Sequence, residues 1–249
     1  MAYNTNQFCW HGCISTNPDD AASFYSKVLG WDVQSVEMGD DTATMFANAG
    51  VPRAHVMAPP MEGIPSHWDN YLRVDDVDAA TKACVEHGGA VMVPGTDIAP
   101  GRFSVVTSPS GAAISLFHEA DEASSEHVPN DVGGVHWVEL HSTDIDADLA
   151  WLKAALGFEI DTMPMPNGNY YILKANGEQR GGATPQQNPG APSMWLTWFQ
   201  VADVDGTVDT ASDAGGQALM PPFDVPGVGR MSILSDNTGG VFGVITPPA

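Results

Sequence analysis

Glu139 and His141 stand two residues apart in Trp137-Val138-Glu139-Leu140-His141-Ser142-Thr143-Asp144. On an extended strand, residues i and i+2 share a face. A carboxylate and an imidazole can therefore meet there as a general base and its orienting partner. Trp137 belongs to the same face. The competing reading is structural: Glu139 pairs with one of the few arginines, and His141 lies near the rim of the sheet. A second candidate acid–base set is His55 with Asp69. Asp69 and Tyr71 alternate onto one strand face, while Trp68 points the other way and recurs as Trp195. His55 can equally be a satisfied structural histidine. Trp10, Tyr71, Trp137 and Phe199 are the candidate ligand-binding aromatics, because an aromatic wall with few polar groups suits small organic molecules. For the tryptophans, filling core volume is the alternative.

The elements that position these residues come in two copies. Trp10-His11-Gly12-Cys13-Ile14-Ser15-Thr16-Asn17 matches the stretch from Trp137 in its Trp, its Ser-Thr and its final capping residue. The shift is about 127 residues, too long for a solenoid repeat and suited to two copies of a whole domain. Each copy runs from a strand into a helix start. Asn17-Pro18-Asp19-Asp20 offers an N-cap, a first-turn proline and acids in the first turn. Ala21, Phe24, Tyr25, Val28 and Leu29 then fall on one helix face, and Gly30 predicts a left-handed stop. Short strands follow over 31–37, 42–47 and 54–58, giving one βαβββ unit. A second unit starts with the strand 68–74, a helix capped by Asp76, and strands over 90–93, 103–107 and 113–118. Gly88-Gly89, the turn Ser108-Pro109-Ser110-Gly111 and the Gly101-Arg102 loop recur as Gly215-Gly216, Asp236-Asn237-Thr238-Gly239 and Gly229-Arg230. The repeated arginines predict a loop anchored to an acid. The expected fold is α+β, with four βαβββ units in two modules at 1–120 and 131–249, joined by a linker at 121–130.

Composition excludes some partners. Nine Lys plus Arg stand against 31 Asp plus Glu, a net charge of -22, which repels phosphate backbones and anionic lipid surfaces. Nucleic-acid and membrane partners are therefore not expected; a small molecule is, with the chain a monomer or homodimer. Cys9 and Cys13 on one strand would lie about 13 Å apart, beyond disulfide reach. That leaves reduced cysteines and an expected cytoplasmic location. The absence of a basic-then-apolar leader or of an apolar run near 18 residues agrees.

The motifs Phe24-Tyr25, Val28-Leu29-Gly30-Trp31, Val74-Asp75-Asp76-Val77-Asp78-Ala79-Ala80 and the two turns before the last strands resemble the vicinal oxygen chelate superfamily. That superfamily includes glyoxalase I, bleomycin-resistance proteins and extradiol dioxygenases. The resemblance covers nearly the whole chain and implies cupped sheets with a site on each concave face. It also implies metal ligands on the first strand of each unit and a Glu on the last. Those positions here hold Trp10, Asp69 and Ser115 in the first copy and Trp137, Leu196 and Gly243 in the second, with His55 and Gly182 near a middle position. No metal is expected at the standard site, while a nonstandard divalent site on His55 with Asp69, or on Glu139 with His141, stays open. The resemblance implies a glyoxalase-like lyase or isomerase that moves a proton on a small oxygenated metabolite. The alternative is a protein that sequesters a drug or hydrophobic metabolite without chemistry.

Overall fold

The computed structural model describes residues 5–38, 41–120, 131–165 and 168–248; the expected linker at 121–130 lies outside them. The first half forms β1 (Phe8–Ile14), α1 (Pro18–Leu29), β2 (Asp32–Met38), β3 (Asp41–Asn48), β4 (Val51–Met57), β5 (His67–Arg73), α2 (Val77–Glu86), β6 (Ala90–Ile98), β7 (Gly101–Thr107) and β8 (Ala113–Glu119). The second half repeats this as β9 (Val135–Ser142), α3 (Ile145–Leu156), β10 (Glu159–Met165), β11 (Gly168–Ala175), β12 (Glu178–Pro185), β13 (Met194–Gln200), α4 (Val204–Asp213), β14 (Gln217–Val225), β15 (Gly229–Ser235) and β16 (Val241–Thr246). Each half makes one mixed sheet of eight strands, ordered β2-β3-β4-β1-β5-β8-β7-β6 and β10-β11-β12-β9-β13-β16-β15-β14. The two orders are the same once the numbering is shifted by one half. Trp10 and Trp137 therefore occupy equivalent strands, and the chain is a pair of tandem α+β modules.

Local chemistry accounts for the element ends. The Asn17 side chain accepts from the Asp20 amide, Asp144 from that of Ala147 and Asp76 from that of Ala79, satisfying helix N–H groups that have no partner within the helix. Gly30 and Gly157 close α1 and α3 at φ of 69° and 70°, a conformation that penalises residues with a Cβ. β6 runs on to Ile98, past the end expected at Val93. Its register against β7 shifts between Val93 and Thr96, so Pro94, which has no N–H to give, falls in a bulge rather than ending the strand. The repeated arginines anchor their hairpins as expected. Arg102 bonds Asp78, Asp97 and the Gly95 carbonyl, and Arg230 bonds Asp205 and Asp224.

The sheets follow the sequence halves, but the packed interiors do not. The chain divides into two compact units. One comprises Met1–Cys9, Asn70–His127 and Trp137–Trp195; the other comprises Trp10–Asp69, Val128–His136 and Leu196–Ala249. A βαβββ unit has one helix of 10–12 residues, too little to dry a sheet face alone, so α1 packs with α4 inside one unit and α2 with α3 inside the other. Within the second unit, Phe24, Tyr25, Trp31, Phe46, Trp68, Phe199 and Phe242 form one buried aromatic cluster with Val201, Val204, Leu234 and Val244. Tyr25 sits at its centre with no exposed surface. Its hydroxyl accepts from Trp68 Nε1 at 2.7 Å and donates to Asp236 Oδ2 at 2.9 Å. Asp236 also receives the Thr238 and Gly240 amides, so the buried phenol and the carboxylate beside it are both supplied with partners. Among the described residues no helix is long and apolar enough to cross a membrane, and Cys9, Cys13 and Cys84 are free and buried.

Tyr25→Phe removes the acceptor of a buried indole N–H and one donor to a buried carboxylate. The expected loss is about 1–3 kcal/mol, measured as a lower urea midpoint with an unchanged m-value; a loss below about 0.5 kcal/mol, the range of an ordinary surface change, would contradict this account.

Candidate functional site

The polar group that the second module builds around β9 lies within one compact unit. Val138 and Leu140 point to the buried side of the strand, which leaves Trp137, Glu139 and His141 together on the other face. β9 pairs in parallel with β12, Glu139 standing opposite Gly182 and His141 opposite Thr184. His141 Nε2 lies 2.6 Å from Glu139 Oε1. The Tyr170 hydroxyl, from β11, donates to Glu139 Oε2 at 2.7 Å, and Trp137 Nε1 donates to the Tyr170 oxygen at 2.8 Å. The result is a continuous row of hydrogen bonds from indole to phenol to carboxylate to imidazole. Glu139 is only 9% exposed, so its charge depends on these donors rather than on water. Burial, followed by the Glu139 carboxylate, pushes the Tyr170 pKa well up, so its proton stays on as a hydrogen-bond donor.

The arginine alternative for Glu139 is not what the structure shows; its partners are His141 and Tyr170. Sequence reasoning placed Trp137, Glu139 and His141 on one face and missed Tyr170. The available signal was Gly182. A Cβ there would overlap the Tyr170 hydroxyl and come within 2.8 Å of Trp137 Nε1, so the glycine marks the space that the tyrosine tip fills. Which residue fills such a space depends on the pairing of β11 with β12, where Ile172 stands opposite Gly182.

The first module solves the same volume the other way round. Gly12 on β1 stands opposite His55 on β4, and a Cβ on Gly12 would come within 2.6 Å of the His55 ring. Glycine and large polar residue have changed strands between the copies: Gly12 with His55, against Glu139 with Gly182. Trp10 Nε1 donates to His55 Nδ1 at 2.9 Å, the counterpart of the bond from Trp137 to Tyr170. Burial pushes the His55 pKa down to about 4, and the donated indole proton suits a neutral ring. Asp69 and Tyr71 lie partly exposed on β5. Tyr71 stands opposite Ser115, with its ring edge-on to Phe117 at 6.2 Å. Phe199 is placed differently from its expected ligand-lining role. It is fully buried in the aromatic core, 4.8 Å from the Trp68 ring centroid, because alternation along β13 turns it to the helix side. Trp198, its neighbour, takes the other face, and its indole lies over Gly243.

The inferred ligand positions hold few metal donors. In the second module indole, isobutyl and hydrogen stand there, at Trp137, Leu196 and Gly243, and Trp198 covers the last of these; in the first, Trp10 and Ser115 accompany one ordinary donor, Asp69. Among the described residues no three of His, Cys, Asp or Glu come together as a candidate ion site.

Comparison with known proteins gives the wider setting. The profile of the Glyoxalase/Bleomycin resistance protein/Dioxygenase superfamily matches residues 12–116 and 110–243. The chain is 36% identical over 245 residues to CFP32 of Mycobacterium tuberculosis, whose glyoxylase designation is provisional, covering 96% of this chain and 94% of that one. It is 31% identical over 252 residues to the anthracycline biosynthesis protein DauV of Streptomyces sp. strain C5, covering 92% and 90%. Among solved structures, 2,2',3-trihydroxybiphenyl 1,2-dioxygenase of Sphingomonas wittichii strain RW1 shares the fold at a TM-score of 0.65 and 13% identity, over 98% of this chain and 91% of that one. The Mn(II)-bound glyoxalase of Novosphingobium aromaticivorans does so at 0.62 and 16%, over 97% and 82%.

The depressed pKa of His55 carries a stability signature. Between its ordinary value of 6.5 and its folded value of about 4, the unfolded chain binds a proton that the folded chain does not. Stability from neutral His55 is therefore complete above pH 6.5 and is lost as pH falls towards 4. Urea midpoints at pH 7 and pH 5 should differ less for His55→Gln than for the unchanged protein. Equal differences would contradict the assignment.

Proposed function

We propose an enzymatic role for this chain, which belongs to the Glyoxalase/Bleomycin resistance protein/Dioxygenase superfamily. The second module is its working site, and Glu139 with His141 form the acid–base couple. The reaction is proton transfer on a small oxygenated molecule. A proton leaves a carbon next to a carbonyl, the electron pair delocalises onto the carbonyl oxygen, and a proton is returned at a neighbouring atom. The observation that carries this reading is the 2.6 Å contact between Glu139 and His141, on a face they share with Trp137 and Tyr170. A buried carboxylate bonded to a partly exposed imidazole is an arrangement that can hold and move a proton. The first module has Gly12 and Ile14 at the matching positions and no such couple there. No step is routed through a metal, since the inferred ligand positions of the second module hold Trp137, Leu196 and Gly243.

Two further facts narrow the substrate. A chain of net charge -22 with a carboxylate in its site favours a neutral or cationic molecule over a polyanion. Aromatic side chains at Trp137 and Tyr170 suit a flat or apolar body. The relatives named for a glyoxylase and for anthracycline biosynthesis fit carbonyl-bearing metabolites of this kind. The second reading is sequestration of such a molecule without chemistry, favoured by the indoles at Trp10 and Trp137 in place of ligands.

A thermal-shift screen with carbonyl metabolites and polyketide quinones, followed by a turnover assay on every stabilising compound, separates the two readings, because a binder stabilises without consuming its ligand. On a compound that is turned over, Glu139→Gln and His141→Phe should each lower the rate by about 10²–10⁴-fold, and Asp69→Asn should leave it nearly unchanged. Loss of activity in Asp69→Asn with an unaffected Glu139→Gln would move the site to the first module.

A further inference from the structure

We infer that the group touching the substrate proton is His141 through Nδ1, and that Glu139 is a positioning residue held by the donor chain from Trp137 and Tyr170. This rests on the reading of the second module as an acid–base site and reverses the roles that the sequence suggests for the pair.

The direction of the chain is set at its far end. An indole N–H can only donate, so the 2.8 Å contact of Trp137 Nε1 with the Tyr170 oxygen uses a lone pair of that oxygen. The phenolic proton then points to Glu139 Oε2, 2.7 Å away. Oε2 is thereby an acceptor, and Oε1 faces His141 Nε2 at 2.6 Å. Each oxygen thus already accepts one bond, and the side chain is only 11% exposed, so the lone pairs that remain on Glu139 belong to a carboxylate turned inward to its two donors. The carboxylate fixes the proton of the imidazole on Nε2. In a neutral ring that leaves the lone pair on Nδ1, which has no hydrogen-bond partner among the described residues. The His141 side chain is 14% exposed, and with Nε2 engaged by Glu139 the nitrogen left to serve a bound molecule is the one with the lone pair.

The step balances. The substrate C–H bond breaks, its proton forms the new Nδ1–H bond, and the electron pair stays on the substrate, delocalised into its carbonyl. The imidazolium so formed is stabilised by Glu139 across the Nε2 contact. The same proton then returns from Nδ1 to the substrate. Tyr170 gives its proton to nothing in this scheme; it orients Glu139, and Trp137 orients Tyr170. In the first module the indole donates directly to His55 Nδ1, so the lone pair of that nitrogen is already in use.

The test needs no substrate. In the full ¹⁵N-labelled chain at pH 8, the imidazole nitrogens are resolved by long-range ¹H–¹⁵N NMR, with His141 assigned from the spectrum lost in His141→Gln. The expected result is the Nε2–H tautomer, with Nδ1 at a pyridine-like shift. In Tyr170→Phe, with its fold checked by circular dichroism, the Nδ1–H tautomer should gain population. An Nδ1–H tautomer in the unchanged protein would overturn the inference, and so would an Nε2–H tautomer that is indifferent to Tyr170→Phe. Because the readout is the resting imidazole, its failure is separate from failure of the functional reading, which would appear as unimpaired turnover in both Glu139→Gln and His141→Phe.

Discussion

A carboxylate that is 9% exposed must be supplied with donors, and the geometry around β9 follows from that requirement. Burying an unpaired carboxylate costs several kcal/mol or shifts it to its neutral form. Two donors at 2.6 and 2.7 Å replace the lost water. One comes from two residues along the same strand, where the pleat guarantees a common face. The other must reach across from β11 over β12, and it can do so only because Gly182 has no side chain. The glycine, the tyrosine and the strand register are therefore parts of one solution.

The duplicated chain shows how a conserved scaffold tolerates two such solutions. Both sheets keep the same strand order and an indole at the same point of the central strand. In each, the indole N–H finds an acceptor: an imidazole nitrogen in the first module, a phenol oxygen in the second. What changes is which strand carries the bulk. Either exchange alone would overlap its neighbour or leave a void, and both faults cost stability. Gly12 with His55 and Glu139 with Gly182 are consequently coupled choices, and they separate a neutral face from a charged one.

Much of this was legible in the sequence. The helix caps at Asn17 and Asp144, the left-handed Gly30 and Gly157, and the repeated Arg102 and Arg230 anchors each depend on local chemistry, which a single sequence displays. Strand alternation alone placed Trp137, Glu139 and His141 together. Tyr170 was not legible, because its approach to Glu139 depends on the register of β11 against β12 and on an empty space two strands away. Phe199 was assigned to ligand lining, whereas alternation along β13 buries it. The mixing of the two halves in each compact unit was equally hidden, since it depends on helix α1 finding α4 and α2 finding α3. Long-range pairing of that kind leaves no local mark in the chain.

The central claim is that Tyr170 and Glu139 act as one unit, and a double-mutant cycle measures that directly. Urea unfolding of the unchanged chain, Tyr170→Phe, Glu139→Gln and the double variant gives their interaction energy. The account predicts a coupling of about 1 kcal/mol or more, within the range found for residues that share a hydrogen-bond network. Two single effects that add to within about 0.5 kcal/mol, as those of distant independent sites do, would contradict it.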